Sequence, residues 1–101
     1  ALENVQEKAK GPYQAIHLGE ILEHVDKPQA VLDACMPLLQ DSGFIIISVP
    51  NFKHPTHKRV YNAANAKKQA ASVMTIRGSR TIKHLHKKSR AKRFMHWGRK
   101  K

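Results

Sequence analysis

The feature of this sequence that most constrains its fold is a near-continuous apolar run, FIIISV, from Phe44 to Val49. Gly43 precedes the run, and Pro50 and Asn51 follow it as turn residues. An unbroken run of this length, rich in β-branched residues, is typical of a central strand that is covered on both faces of a parallel sheet. Such a strand needs crossover helices to cover it, so the run predicts an α/β fold.

The preceding residues supply the rest of one crossover unit. The segment Tyr13–Leu18 (YQAIHL) predicts a buried strand that ends in a tight turn at Gly19. A helix is expected next, with Asp26 as its N-cap, Pro28 in its first turn and a kink at Pro37 near its end. Strand, helix and strand in this order predict a partial doubly wound, Rossmann-like unit with a right-handed crossover. The apolar face of the helix consists of Ala30, Val31, Ala34, Cys35, Leu38 and Leu39.

Charge divides the chain into two unlike parts. Residues 1–52 contain three lysines against all seven acidic residues, a net charge of −4. Residues 53–101 contain the other sixteen Lys and Arg residues and no acidic residue, a net charge of +16. The pattern predicts an α/β unit over 1–52 and a basic, polyanion-binding extension over 53–101.

The basic part is expected to be mostly helical or extended. Residues 61–75 are rich in alanine and predict a helix, and Gly78 breaks this run. The segment Thr81–Lys101 has too thin an apolar stripe to form a core of its own, so we expect it to become ordered mainly when bound, or when docked on something larger.

The same segment carries the predicted nucleic-acid contacts. Its cations would contact phosphates, while Phe94, His96 and Trp97 would stack on unpaired bases, which favours RNA over duplex DNA. An anionic membrane surface is the competing partner, but the segment lacks the broad apolar face that membrane binding requires. The predicted contact residues are Lys83, Lys87, Lys88, Arg90, Lys92, Arg93, Trp97, Arg99, Lys100 and Lys101.

A family resemblance rests on Gly19-Glu20, on LEHV at residues 22–25, on Leu38-Leu39 and Gly43, and on SVPN at residues 48–51. The stretch 13–51 resembles the fourth strand, following helix and fifth strand of class I S-adenosylmethionine-dependent methyltransferases. A weaker likeness continues to about residue 70. The resemblance implies a methyltransferase fold, with Gly19 and Glu20 near the methionine portion of the cofactor; a purely structural role for Gly19 in the turn is the alternative.

The resemblance does not include the family's main cofactor-binding elements. Those are a glycine-rich loop after the first strand and an acidic residue at the end of the second, whereas the five glycines here are isolated. S-adenosylmethionine binding is therefore expected only with a complementing N-terminal half. The chain is interpreted as a portion of a methyltransferase, a piece of a split enzyme or a relic reused as structure, so a protein partner is expected.

Within the resembling segment, Glu20, Glu23 and His24 have the spacing i, i+3, i+4, which places them on one face of a helical turn. Ubiquinone-pathway O-methyltransferases and small-RNA 2′-O-methyltransferases use this arrangement to hold a divalent ion. By resemblance, Mg²⁺ would bind Glu20, Glu23 and His24, with His54 or His57 as a further ligand. In the alternative interpretation, the same side chains only form hydrogen bonds around the turn.

Other features of the sequence bear on location. Cys35 is the single cysteine, and it is expected to be buried in a reducing, cytoplasmic or similar intracellular compartment. No apolar run has the length of a membrane span, and no secretory signal pattern is present. Two functions remain open: part of a methyltransferase with a basic RNA-binding tail, or a non-catalytic ribosomal or ribonucleoprotein subunit.

Overall fold

A computed structural model describes residues 11–83 and 91–101. Its elements in chain order are β1 (Tyr13–Gly19), α1 (Pro28–Cys35), a 3₁₀ turn (Met36–Leu38), β2 (Leu39–Pro50), α2 (Ala63–Ala71), β3 (Met74–Lys83) and β4 (Lys92–Lys100). The lead-in at residues 2–10, which the sequence predicts to be helical or irregular, lies outside the described residues. None of the described helices is long and apolar enough to cross a membrane.

The four described strands form one sheet in the order β1-β2-β4-β3. β1 and β2 are parallel, with Ile16 opposite Ile45, as the predicted crossover requires. β4 is antiparallel to both of its neighbours, so that Trp97 lies between Ile46 on β2 and Gly78 on β3. The predicted α/β unit is confirmed, and the sheet continues beyond residue 52 into the basic part of the chain.

The described part of the basic segment is ordered by docking on the rest of the chain, since β4 pairs with both β2 and β3. Phe94 and His96 are buried, and Gly98 between β2 and β3 has no room for a Cβ atom because the carbonyl group of Thr75 is too close. Phe94 and His96 therefore face the interior and are not available to stack on bases. Alternation explains the difference, because every second residue of β4 lies on a covered face of the sheet.

Three further local predictions differ from the structure. The N-cap of α1 is Lys27, without a side-chain hydrogen bond, and Asp26 instead forms an ion pair with Lys58. Gly78 lies within β3, where a register shift lets the indole of Trp97 pack over it. The predicted helix at 61–75 is shorter, since it starts after Asn62, whose side chain accepts a hydrogen bond from the backbone of Asn65 at 2.8 Å.

The core contains the buried residues of α1 and of the sheet, together with α2, which packs against β3 and β4. Ile45, Ile47 and Val49 point from β2 into this core. Cys35, only 2% exposed, lies among the apolar residues of α1, and burial raises the pKa of its thiol. The predicted packing role of Cys35 is therefore confirmed, because a buried neutral thiol is a poor nucleophile. The rest of the core is contributed by Leu18, Leu22, Val25, Val31, Leu32, Leu39, Tyr61, Ala66, Ala70, Val73, Met74 and Phe94.

Candidate functional site

The candidate site lies at the carboxyl ends of the parallel strands β1 and β2, the edge at which open α/β sheets bind ligands. Glu20, directly after β1, has a left-handed backbone (φ 58°), and its amide donates to the carbonyl of Ser48 on β2 at 3.1 Å. The strained position of this turn is therefore Glu20 and not Gly19. The following LEHV segment is anchored by Leu22 and Val25, whose side chains are buried.

Arg59 holds the LEHV turn from outside. Its Nη1 donates hydrogen bonds to the carbonyls of Leu22 and Val25, both at 2.6 Å, and its Nη2 donates to the carbonyl of Asp26 at 3.0 Å. A planar guanidinium can satisfy three carbonyls in this way, which a lysine ammonium cannot do in the same geometry. No sequence pattern within the LEHV segment points to Arg59, because it lies more than thirty residues away along the chain.

Glu23 is the most unusual side chain of the site. It is completely buried, and among the described residues neither carboxyl oxygen has a hydrogen-bond partner. Burial, and to a lesser degree the nearby carboxylate of Glu20, raise the pKa of Glu23. A buried acid without partners is costly for stability, and such groups are concentrated at functional sites.

Two histidines lie next to Glu23. The Nε2 atom of His24 is 3.8 Å from Oε1 of Glu23, and its Nδ1 is 3.0 Å from the carbonyl of Thr56. The carbonyl can only accept, so Nδ1 carries the hydrogen and Nε2 of the neutral ring has a free electron pair. The ring of His57 is 4.9 Å from that of His24, centroid to centroid, and its Nδ1 donates to the carbonyl of Phe52 at 2.9 Å. Both rings thus present a basic Nε2.

The predicted metal ligands are not assembled into a binding site. Oε1 of Glu20 accepts a hydrogen bond from Nε of Arg93 at 2.8 Å. His54 is turned toward its own loop, where Nδ1 lies 2.8 Å from the hydroxyl and 3.2 Å from the amide of Thr56. Across residues 11–83 and 91–101, no group of three or more His, Cys, Asp or Glu side chains is arranged to hold a metal ion.

Several of the predicted nucleic-acid contacts have partners within the chain. Arg93 binds Glu20, Arg99 donates to the carbonyl of Ser42 at 3.3 Å, and Nζ of Lys100 donates to the carbonyls of Met36 and Leu39. Lys83 and Lys101 are exposed, whereas Lys92 and Trp97 are partly buried. Lys87, Lys88 and Arg90 lie outside the described residues.

The sheet and the turn at its edge place the chain in a known class of fold. The chain forms part of a class I S-adenosylmethionine-dependent methyltransferase fold. Its structure is similar to that of the N-methyltransferase NodS from Bradyrhizobium japonicum WM9 in complex with S-adenosyl-L-homocysteine, with a TM-score of 0.70 at 10% identity. That match covers 95% of this chain and 50% of NodS. A second NodS structure matches with a TM-score of 0.66 at 12% identity, over 92% of this chain and 53% of NodS.

Sequence comparison indicates a more specific relationship. The chain is 39% identical over 51 residues to ubiquinone biosynthesis O-methyltransferases of Xylella fastidiosa strains M23 and Temecula1. The match covers 50% of this chain and 21% of those proteins, so the chain spans about a fifth of the length of the curated relatives that it matches. No protein-family model matches the sequence. The resemblance to class I methyltransferases drawn from the LEHV and SVPN motifs is confirmed.

Proposed function

We propose that this chain contributes the methyl-acceptor side of an S-adenosylmethionine-dependent O-methyltransferase. The observation that carries the proposal is Glu23, a buried carboxyl group without hydrogen-bond partners among the described residues, beside the free Nε2 of His24. The similarity to O-methyltransferases of ubiquinone biosynthesis favours a hydroxyl group as the methyl acceptor. The similarity to NodS, which was crystallised with S-adenosyl-L-homocysteine, favours S-adenosylmethionine as the donor.

The residues at the strand edge fit this chemistry. When bound, S-adenosylmethionine supplies a methyl group on a sulfonium centre. By the family resemblance, Gly19 and Glu20 would lie near the methionine portion of the cofactor. A hydroxyl group that accepts a methyl group must lose its proton, and Nε2 of His24 is a free base at this edge. The carboxylate of Glu23, 3.8 Å from this atom, would stabilise the imidazolium that forms.

A divalent metal does not fit the arrangement of these residues. Arg93 engages Glu20, and His54 is turned toward Thr56. His57 lies beside His24, but within the described residues no group of three or more of these side chains is arranged to hold a metal ion. Hard cations such as Mg²⁺ bind through several oxygen ligands in near-ideal geometry. We therefore assign the proton transfer to His24, without the help of a metal ion.

The test is cofactor binding and methyl transfer with and without a complementing partner. S-adenosylmethionine binding is measured by calorimetry on this chain alone, and again after addition of a polypeptide that carries the glycine-rich half of a matched relative. We expect binding and transfer of a labelled methyl group only in the mixture. Exchange of His24 for Gln should lower the rate of transfer without weakening cofactor binding, whereas Gln14→Ala, an exposed control at the start of β1, should change neither. Full activity of His24→Gln would refute the assignment.

Polyanion binding is the second candidate function, favoured by the sixteen cations and the absence of acidic residues in 53–101. Arg77, Arg80 and Lys83 are exposed along the strand β3 at the edge of the described sheet. If the chain binds RNA, its affinity for a single-stranded polynucleotide should fall steeply as salt is raised. RNA binding combined with no cofactor binding in the complemented mixture would favour the ribonucleoprotein alternative over the enzyme.

A further inference from the structure

A second basic feature lies beside the candidate site, in the loop after β2. Residues 53–60 line a depression of about 260 Å³, smaller than the typical pocket of a drug-sized ligand. Its walls carry three formal positive charges and two imidazoles, and no acidic side chain lines it. The lining residues are Lys53, His54, His57, Lys58, Arg59 and Val60. None of these residues belongs to the basic contacts predicted from the sequence of β3 and β4.

Contacts within the protein hold the basic groups of the loop in place. Arg59 is held by the three carbonyls of the LEHV turn, and Lys58 is held by Asp26. A turn also holds the backbone of the loop. In this turn the amide of His57 donates a hydrogen bond to the carbonyl of His54 at 2.9 Å. Groups that are already fixed lose little conformational entropy when a ligand binds, so their hydrogen bonds contribute more fully to affinity.

The residues that line the depression carry hydrogen-bond donors. Nδ1 of His54 accepts the amide hydrogen of Thr56 at 3.2 Å, so the hydrogen of the neutral ring lies on Nε2. Within residues 11–83 and 91–101, the ammonium of Lys53 has no ion-pair partner. Nε of Arg59 is not among the atoms that bind the LEHV carbonyls. Three donors from three residues suit a ligand with several acceptor oxygens.

The balance of charges around the depression also favours an anionic ligand. Asp26 forms an ion pair with Lys58, whereas Lys53 and Arg59 form no ion pair within the part of the chain that the structure describes. Glu23 adjoins the loop, because the amide of Lys58 donates to its backbone carbonyl at 2.7 Å. The Glu23 side chain is completely buried and does not line the depression, so it presents no carboxylate to an anion there. A compact oxyanion with several acceptor oxygens can accept hydrogen bonds from such single donors.

We propose that Lys53, His54 and Arg59 form a binding site for a phosphate group, next to the edge where the methyl acceptor would lie. The site would hold a phosphomonoester, such as the terminal phosphate of a nucleotide, or free phosphate. It is independent of methyl transfer, since phosphate binding is measured without a cofactor. The presence or absence of phosphate binding therefore does not decide the proposed O-methyltransferase function, which has its own test.

The experiment is calorimetry of the full chain at low salt with inorganic phosphate, AMP and adenosine. We expect one site that binds phosphate and AMP but not adenosine. Equal affinity for phosphate and AMP identifies free phosphate as a sufficient ligand, and tighter binding of AMP identifies a phosphomonoester. Absence of binding by both, or binding of adenosine as strong as that of AMP, would overturn the proposal.

Matched variants separate this site from the diffuse charge of the chain. The double variant Lys53→Ala/His54→Gln removes two exposed donors, and we expect affinity for AMP to fall about tenfold. The control Lys83→Ala/His17→Gln makes the same chemical changes at exposed positions on β3 and β1 and should bind like the unmodified chain. Equal losses in the two variants would mean that net charge alone attracts the anion. Lys53→Ala alone, checked for folding by circular dichroism, guards against a misfolded double variant.

Discussion

Nε of Arg93 on β4 donates a hydrogen bond at 2.8 Å to Oε1 of Glu20, in the turn that follows β1. The pair joins the basic part of the chain to the candidate site across 73 residues of sequence. The guanidinium of Arg93 also lies 5.8 Å from the ring centre of Phe52, which directly precedes Lys53. Both side chains of the pair are more than a third exposed, so the ion pair contributes little to stability, but it decides where the Glu20 carboxylate points.

Removal of the Arg93–Glu20 ion pair should show whether the site can bind a metal ion. In Arg93→Gln, the carboxylate of Glu20 is free to turn toward Glu23 and His24, which would bring three donors together. We expect calorimetry to show Mn²⁺ binding at least about fivefold tighter than in the unmodified chain. Arg99→Gln, which removes the other arginine of β4, is the control. Equal Mn²⁺ affinity in the two variants would mean that Arg93 does not control metal binding.

Glu23 should destabilise the folded chain at neutral pH. Burial raises its pKa above the ordinary value of 4.5, so folding favours the protonated carboxyl. The contribution of Glu23 is therefore fully present below pH 4.5 and is lost as the pH rises through the folded-state pKa. We expect Glu23→Met to raise the free energy of unfolding by about 1–3 kcal/mol at pH 8, and by less at pH 4.5.

Urea unfolding of Glu23→Met at both pH values measures this difference. The control is Asp41→Asn, an exposed acid on β2 whose substitution should have a small effect. A stability gain of the same size at pH 4.5 and pH 8 would show that the effect comes from packing and not from the buried carboxyl.

The strand-helix-strand unit was predictable because its signals are local. The run FIIISV is apolar at nearly every position, and the glycines and prolines that bound it mark turns. The LEHV turn was equally visible, since the spacing of Glu20, Glu23 and His24 indicates side chains close in space. Their arrangement was not predictable, because Arg93 binds the Glu20 carboxylate and Arg59 binds backbone carbonyls of the turn, both from distant parts of the chain.

β4 was missed because its inward face carries almost no apolar signal. The buried positions alternate correctly, but they hold Phe94, His96 and Gly98, and only the first of these is a strong apolar residue. The intervening cations suggested a solvated tail, and strand pairing with residues far along the chain cannot be deduced from composition. Asp26 is a second example of a contact that composition does not predict. Aspartate is a favourable N-cap residue, but Asp26 forms an ion pair with Lys58 instead.

The LEHV turn should depend on the guanidinium of Arg59. Arg59→Lys keeps the positive charge but cannot donate to three carbonyls with the same geometry. We expect a loss of about 1–3 kcal/mol in the free energy of unfolding, because carbonyls at the turn lose their donors. Arg77→Lys, an exposed arginine on β3, should cost almost nothing. Urea unfolding measures both variants, and equal stabilities would show that Arg59 does not hold the turn.

His96 should make the basic half of the sheet sensitive to acid. It is 7% exposed, its Nδ1 lies 2.5 Å from the hydroxyl of Ser79 on β3, and its Nε2 has no hydrogen-bond partner in the part of the chain that the structure describes. Burial, and to a lesser extent the charge of Lys67 on α2, lower the pKa of His96 below its ordinary value of 6.5. The unfolded chain therefore binds a proton more readily than the folded chain.

The sign of the pH effect follows from this difference. The contribution of neutral His96 is present above pH 6.5 and is lost as the pH falls toward the folded-state pKa. His96→Leu removes the titrating group, so the stability of the unmodified chain should fall more than that of the variant between pH 7.5 and pH 5. Because Glu23 is common to both proteins, its opposite pH dependence cancels in the comparison.

Thermal unfolding at both pH values measures the difference, with His17→Gln, an exposed histidine on β1, as the control. If His96→Leu lost as much stability as the unmodified chain over this range, His96 would not be buried in its neutral form, and the placement of β4 inside the sheet would be wrong.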